Sequence, residues 1–194
     1  HTRVHALQGF ESHFRAKDHS PAAKYGAGAD GCCIAFRKSR FKCLHAFSVG
    51  QHPVAQTCHL RDLATNKALL VTMCHLKAKR GFEALRKQQM ATLHASLSAY
   101  LALLSDPPSL VAVMGDFNAQ ATEPCAELLQ KQGFSSLFSS KHYPWTTWKR
   151  RYSKQDGQQV VEEGKARIDH IFVRPAPRLM SYLALPSSDK LEEH

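Results

Sequence analysis

The sequence lacks any long apolar run. It never approaches the ~20 apolar residues that a helix needs to cross a bilayer, because the longest candidate, residues 93–104, is interrupted by one histidine and two serines. Internal repeats and long low-complexity tracts are absent as well, and a hydrophobic share of 43% is too high for a disordered chain. These absences exclude a membrane-spanning helix and indicate a globular protein.

The cysteines lack the spacing of a metal or redox motif. No CxxC pair occurs, and no cysteine pair is followed by a matching histidine pair, so neither a zinc ribbon nor a redox motif is present. Free cysteine behaves as a small core hydrophobe, so we expect buried thiols. Free thiols and the lack of a signal peptide favour an intracellular location, cytoplasmic or mitochondrial. The six are Cys32, Cys33, Cys43, Cys58, Cys74 and Cys125.

Acidic residues are few. Lys and Arg number 26 against 16 Asp and Glu, which gives a net charge of +10. A basic protein of this kind suits a polyanionic partner, such as a nucleotide or a nucleic acid. The length of 194 residues suffices for one domain with a continuous core, so we expect a single domain over residues 1–194 and a monomer.

The pattern of apolar residues predicts a layered α/β domain. Short runs rich in β-branched and aromatic residues, bounded by polar residues, predict strands. Apolar residues at spacings of three and four predict two amphipathic helices. The predicted strands are residues 31–36, 40–47, 54–60, 68–75, 110–114 and 165–173, and the predicted helices are residues 82–104 and 122–132.

Three details of this prediction can be tested against the structure. The first helix is expected to expose Arg86, Lys87 and Gln88 to water. Thr122 is expected to cap the second helix. The charged stretch 149–165 predicts an exposed loop or hairpin, and a solvated surface and a phosphate-contacting role are equally open for it.

The tetrapeptide Gly-Asp-Phe-Asn at residues 115–118 directly follows the most buried predicted strand. With a period of two, Asp116 and Asn118 lie on one side of the chain, while Phe117 turns into the core. A carboxylate can hold a divalent cation or orient water, and an amide can donate to phosphate or ligate a metal. The alternative for this tetrapeptide is an Asx turn that closes the strand.

Three further clusters carry charge at strand ends. His75 ends an apolar strand and is followed by three cations at residues 77–80, a pattern suited to phosphate oxygens. Asp169 is predicted inside an apolar strand, where a carboxylate must be paired or functional. Asp30 precedes Gly31 at the start of another strand, although this pair alone is also consistent with a simple turn.

These four pieces, in this order, resemble the endonuclease/exonuclease/phosphatase superfamily, and within it the nocturnin-like relatives of the carbon-catabolite-repression deadenylases. The resemblance implies metal-dependent phosphoesterase chemistry on a DNase I-like four-layer α/β sandwich with two mixed sheets. The matching segments are Gly9-Phe10 through Ser20-Pro21, Asp30-Gly31-Cys32 and residues 74–79, 115–118, 145–149 and 167–172.

The resemblance assigns a role to each matching position. The aspartate at Asp116 orients or deprotonates the attacking water, and the asparagine at Asn118 holds the scissile phosphate. The histidine at His75 stabilises a phosphate oxygen, and the aspartate at Asp169 orients a late catalytic histidine. Lys79 stands where the family has an arginine, so the two parallel hydrogen bonds that a guanidinium can donate to a phosphate are lost. We expect substrate to be bound by Lys17, Asp30, Lys77, Lys79 and Trp148.

Two family features do not match within this chain. The family's magnesium-binding glutamate belongs to a segment that would lie before His1, and Glu11 is not its equivalent because it follows the glycine-aromatic pair. The family's late Ser-Asp-His histidine is also missing, since Ser188-Asp189 resembles the preceding acidic linker. We therefore expect a sandwich incomplete at both termini, nearly inactive and marginally stable by itself. Asp116 and Asn118 are then secondary candidates for Mg²⁺ ligation.

Three functions are compatible with these residues. The leading hypothesis is a Mg²⁺-dependent phosphoesterase that removes the 2′-phosphate of NADP(H). The alternative with the same chemistry is stepwise 3′ to 5′ removal of adenylate from poly(A) RNA. A noncatalytic nucleotide or nucleic-acid binder is the third, with basic side chains on phosphates and Trp148 stacking on a base. The carboxylates of Asp116 and Asp169 argue against it, because a binder of polyanions gains nothing from them.

Overall fold

The computed structural model describes residues 8–18, 20, 24–26, 28–50, 54–138, 145–155 and 158–176. The linker predicted at Ser188-Asp189 lies outside them. In chain order the elements are β1 (Phe10–Ala16), β2 (Gly31–Arg37), β3 (Phe41–Val49), β4 (Val54–Asp62), β5 (Ala68–His75), α1 (Glu83–Ala102), β6 (Leu110–Asp116), α2 (Pro124–Lys131), β7 (Ser135–Ser136), β8 (Thr147–Gln155), β9 (Gln158–Ala166) and β10 (Asp169–Arg174).

A six-stranded mixed sheet forms the centre, in the order β3-β4-β5-β6-β10-β7. Strands β5 and β6 pair in parallel, with α1 connecting them, and the other neighbours pair antiparallel. Strand β6 lies between β5 and β10 and buries three successive residues, Val111, Ala112 and Val113. This confirms the prediction that the apolar run at 110–114 is a strand buried on both faces.

The two helices cover one face of the central sheet. Helix α1 contributes Met90, Leu93 and Leu97, each at most 1% exposed, to a core that also contains Leu129 of α2. The strands supply the other side of the same core with Leu70, Cys74, Val113 and Phe172. Removal of this apolar surface from water is the main force that holds helices and sheet together.

Strands β1 and β2 form an antiparallel pair that packs on the opposite face, against β4 and β5. A second core fills this interface, made of Ile34, Phe36, Cys58 and Leu60. The described residues thus form three layers, with helices on one side and a small sheet on the other. An α/β fold with a mixed sheet is confirmed, while the four-layer arrangement and the second mixed sheet stay predictions.

Several element boundaries differ from those expected. Strand β1 was not predicted, because residues 10–16 contain no β-branched side chain. The single strand expected at 165–173 is wrong, since β9 ends at Ala166 and β10 begins at Asp169. The hairpin alternative for 149–165 is correct, and β8 pairs with β9. Thr122 does not cap α2; the cap is Glu123, followed by a proline at the first turn.

The expectation of buried free thiols is confirmed for four of the six cysteines. All six are unpaired by disulfide; four are buried, and Cys33 and Cys43 are half-buried. Within the part of the chain that the structure describes, neither helix combines the length and the apolar character needed to cross a bilayer.

Candidate functional site

Strand pairing brings three predicted residues into one row. Asp116 has two register partners: His75 across the parallel β5/β6 pair and Asp169 across the antiparallel β6/β10 pair. Neighbouring strands lie about 4.8 Å apart and register partners project to the same face, so the three side chains are within reach of one phosphate group. His75 Nε2 lies 3.7 Å from Asp116 Oδ2. These residues are called the three-residue row below.

Gly115 explains why the row forms at this position. Its φ is +128°, and a Cβ there would collide with the carbonyl oxygen of Cys74 on β5. Only glycine tolerates both the conformation and the close approach of the two strands. The glycine that begins the tetrapeptide is therefore required for the position of Asp116.

The turn after β6 orients both of its polar side chains. The backbone N–H of Asn118 donates to Asp116 Oδ1 at 2.8 Å, and its amide Nδ2 donates to the carbonyl of Leu76 at 3.0 Å. Phe117 is fully buried between them, as the alternation predicts. The turn is thus an Asx turn and a functional loop together. Oδ2 of Asp116 is not used by these bonds. On Asn118, the second N–H of the amide and the amide oxygen are likewise left for a ligand.

The pKa of Asp116 is raised above its usual value. Burial is the largest cause, and the nearby Asp169 carboxylate raises it further; the bond from the Asn118 N–H opposes this, as do His75 and Lys149. Two adjacent carboxylates that repel each other are relieved by a cation, and carboxylate and amide oxygens suit Mg²⁺. The donor set of Asp116, Asp169 and Asn118 therefore fits a divalent metal ion.

Asp169 differs from expectation in its surroundings. It is exposed at the first position of β10, so the argument from burial inside a strand is wrong. Its partner is Thr146, whose hydroxyl donates to Asp169 Oδ2 at 2.7 Å. The same hydroxyl oxygen accepts the backbone N–H groups of Ile168 and Asp169, each at 3.1 Å. Thr146 was not predicted as a site residue, although it lies in the matching segment 145–149.

His170 stabilises the turn from the opposite side of β10. It is buried, and its Nε2–H donates to the carbonyl of Ala119 at 2.8 Å, while its ring contacts Phe117 edge-on at 5.3 Å. Burial lowers the pKa of His170, so the imidazole stays neutral. No sequence pattern distinguished this histidine, because its partner is a backbone carbonyl 51 residues away.

Arg86 fixes the basic loop that follows His75. The expectation that it faces water is wrong, since it is 2% exposed. Its guanidinium donates to the carbonyls of Lys77 and Lys79 at 3.2 and 2.8 Å and pairs with Glu123 at 2.7 Å and Glu83 at 3.3 Å. These bonds satisfy the charge and explain how an arginine is tolerated inside the helix interface.

The loop presents its two lysines differently. Lys79 is exposed, with φ at +82°, whereas the ammonium of Lys77 lies over the Phe82 ring, 5.0 Å from its centre. The backbone N–H of Lys77 is held by Gln89 Oε1 at 2.9 Å. Of the two predicted substrate contacts, Lys79 is therefore the better placed to meet a phosphate.

Lys17 and Asp30 lie at the end of the small sheet. Lys17 Nζ is 3.8 Å from Asp30 Oδ2, and the Lys17 N–H donates to the Asp30 carbonyl at 2.8 Å. The pKa of Asp30 is lowered, first by the Ser20 hydroxyl and then by Lys17 and His75. The contribution of His75 indicates that the Asp30 carboxylate lies within electrostatic range of the three-residue row.

Trp148 belongs to the β8–β9 hairpin. The Arg150 guanidinium lies 4.7 Å and the Lys165 ammonium 5.0 Å from the centre of its ring, so two cations of this chain already contact the indole. A cavity of about 310 Å³ beside it is lined by Arg80, Lys149 and Lys165 among others. Lys149, which lines this cavity, also lowers the pKa of Asp116, so the basic cavity lies within electrostatic range of the three-residue row.

Comparison with known proteins gives this arrangement a family. The model of the endonuclease/exonuclease/phosphatase family matches residues 2–189. The chain belongs to that family. Members of the family are metal-dependent phosphoesterases, and the family typically uses a divalent metal ion. The resemblance found from the sequence motifs is thereby confirmed.

The relatives of this family member include nocturnin. Nocturnin of Xenopus laevis is 27% identical over 206 residues, covering 94% of the chain and 49% of the relative. The human nocturnin catalytic domain with bound sulfate superimposes with a TM-score of 0.69 at 21% identity, covering 90% of this chain and 64% of that one. ANGEL2, a 2′,3′-cyclic phosphatase, superimposes with a TM-score of 0.65 at 15% sequence identity, and the match covers 85% of this chain and 62% of ANGEL2. The chain thus spans about half the length of the frog relative.

Proposed function

We propose that this family member is a Mg²⁺-dependent phosphoesterase that removes the 2′-phosphate of NADP(H). The observation that carries the proposal is the three-residue row, with Lys149 among the charges that lower the pKa of Asp116. Such a set combines groups that activate water with cations that hold a phosphate. The nocturnin relationship supports the choice of substrate, and bound sulfate in the human nocturnin domain is a tetrahedral dianion like a phosphate.

In this reaction Asp116 orients the attacking water and takes up its proton at Oδ2. Burial raises the pKa of Asp116, which makes its carboxylate a stronger base than a carboxylate in water. Asn118 and His75 bind phosphate oxygens through their N–H groups, and the Asx turn keeps the amide in place. When bound, the divalent cation neutralises the phosphate and stabilises the leaving oxygen. Asp169 and the amide oxygen of Asn118 are the groups that would hold it, together with the second lone pair of Asp116 Oδ1, while Oδ2 stays available for the proton.

The proposed activity is tested with full-length protein and NADP. Inorganic phosphate should be released with Mg²⁺ present, and release should stop when the metal is chelated and resume when Mg²⁺ is restored. An adenylate oligomer serves as the competing substrate. Efficient shortening of the oligomer with NADP left intact would identify a deadenylase instead. Binding of both without turnover would identify a noncatalytic binder.

Replacement of Lys79 by alanine should raise KM for NADP by about tenfold or more with little change in kcat, because a charge-assisted contact to phosphate is lost. Steady-state phosphate release measures both constants. Lys38→Ala is the matched control, since Lys38 is exposed and follows β2 at the end remote from Asp30. A fall in kcat at unchanged KM would assign Lys79 to the chemical step.

Replacement of Thr146 by valine should lower kcat by about 10- to 100-fold, because a charge-assisted bond worth about 1.5–3 kcal/mol no longer fixes Asp169. The side chain keeps its volume, so the fold should be retained. Thr92→Val, on the exposed surface of α1, is the control with the same chemical change. An unchanged kcat in Thr146→Val would show that Asp169 needs no partner for turnover.

A further inference from the structure

Three potential metal ligands from three strands meet between the two sheets, away from the three-residue row. They are His13 of β1, Cys43 of β3 and Cys58 of β4, and their ligand atoms all lie within 4.8 Å of one another. A tetrahedral zinc ion with bonds of about 2.0–2.3 Å separates its ligands by roughly 3.5–3.8 Å. Small χ1 rotations of the two cysteines, which move each sulfur by about 1 Å, would bring the ligands to this separation.

The backbone aims the two thiols at the same point. The β3/β4 register shifts between Cys43 and His45, so the extra residue Leu44 forms a bulge and is exposed. A bulge reverses which face the following residues occupy. Cys43 therefore faces the small sheet together with Cys58, whereas His45 faces the helix side, where it stacks on Tyr100.

A carboxylate orients the histidine. Glu11, two residues earlier on β1, lies with Oε1 3.1 Å from His13 Nε2. This contact leaves Nδ1 to bind a metal and gives the carboxylate–histidine pair that commonly supports zinc. His13 also stacks on Phe36 at 6.1 Å, which limits rotation of the ring. The negative charge of Glu11 acts on both Cys43 and Cys58, so the local field favours a cation.

We propose that His13, Cys43 and Cys58 bind one zinc ion that links β1 to strands β3 and β4. Two sulfur ligands and one imidazole select zinc over Mg²⁺, which prefers oxygen. Binding replaces the two S–H protons, so each zinc ion releases two protons and becomes a neutral dithiolate complex. Solvent supplies the fourth ligand, because the His13 side chain is 32% exposed. Glu11 stays outside as the partner of the histidine.

Without zinc, the two thiols keep the protons that the metal would replace. Burial raises the pKa of Cys58 to about 12 and raises that of Cys43, whose S–H donates to the carbonyl of His45 at 3.5 Å. Without a metal both are therefore neutral and stable in the interface. Zinc favours the thiolates by direct coordination. The consequence is a cross-link between the two sheets at β1, the strand that leads to Lys17.

The test measures zinc in purified full-length protein kept in a reducing buffer. Wild type should hold one zinc more than Cys43→Ala and than His13→Gln, while Cys33→Ser, a half-buried thiol outside the cluster, should match wild type. Co²⁺ in place of zinc should give thiolate charge-transfer bands that both ligand variants lose. Glu11→Ala should keep the site but bind zinc about 10- to 100-fold more weakly.

Folding is followed separately, so that loss of metal is not mistaken for loss of structure. Circular dichroism should show that Cys43→Ala and His13→Gln are folded, and added zinc should raise the Tm of metal-free wild type and Cys33→Ser but not that of these two variants. Equal zinc content in wild type and both variants would overturn the proposal. Co²⁺ binding without thiolate bands, or a Cys43–Cys58 disulfide in the reduced sample, would overturn it as well. None of these measurements depends on the phosphoesterase activity.

Discussion

Replacing Asp116 by alanine should lower kcat by about 10²- to 10⁴-fold and leave the affinity for NADP nearly unchanged. Asp116 occupies the centre of the three-residue row, between His75 and Asp169. In the proposed reaction Asp116 acts when water attacks, so its removal is expected to raise the barrier of the chemical step and not the free energy of the bound state. The turn itself would lose one bond, from the Asn118 N–H to Oδ1.

Two measurements separate the effects of Asp116→Ala. Phosphate release at saturating Mg²⁺ gives kcat, and calorimetry with NADP gives the dissociation constant of the inactive variant. Saturating metal is needed because Asp116 is also a candidate ligand. Asp106→Ala is the control, since Asp106 is 71% exposed and pairs with Arg61, at the edge of the sheet remote from the row. Weaker NADP binding with a normal kcat would assign Asp116 to substrate binding instead.

The sequence predicts the central sheet well where the signal is local. Strands β5 and β6 and helix α1 have strong apolar patterns, and all three form close to the expected residues. Strand β1 has no such pattern, because it contains no β-branched residue and only two phenylalanines among mostly polar residues, and it forms by pairing with β2. Its existence depends on register partners in β2 that lie 15 to 27 residues further along the chain, which no local pattern contains.

The candidate site was predictable as a set of residues but not as a geometry. Collinear motifs identify His75, Asp116 and Asp169, yet only the strand order places the last strand beside β6. Thr146 and His170 are invisible to this reasoning, because each acts through one hydrogen bond to a distant group. The zinc ligands are missed for the same reason: His13, Cys43 and Cys58 come from three strands without a common spacing.

Arg86 is the clearest case in which charge misleads. Helical periodicity placed it on the solvent side because arginine is charged, although its neighbours Gln89 and Met90 are buried. In the structure its donors reach two backbone carbonyls and two carboxylates. The residue is therefore a connector between α1, the basic loop after His75, and Glu123 ahead of α2.

Replacing Arg86 by alanine should lower the free energy of unfolding by about 2–4 kcal/mol, because it removes a buried guanidinium that bonds two backbone carbonyls and pairs with the partly exposed Glu123. Glu123 would lose its guanidinium, and the carbonyls of Lys77 and Lys79 would lose their donor. Urea unfolding followed by circular dichroism measures the change. The adjacent, exposed Lys87→Ala should alter stability by less than about 0.5 kcal/mol.

The kinetic effect of the same change distinguishes a connector from a mere core residue. With the loop released, Lys79 no longer meets the phosphate from a fixed position, so any folded Arg86→Ala enzyme should show a raised KM, as Lys79→Ala does. The double variant should then add little to KM, because both changes remove one contact. Fully additive effects on KM would show that Arg86 stabilises the fold without positioning the loop.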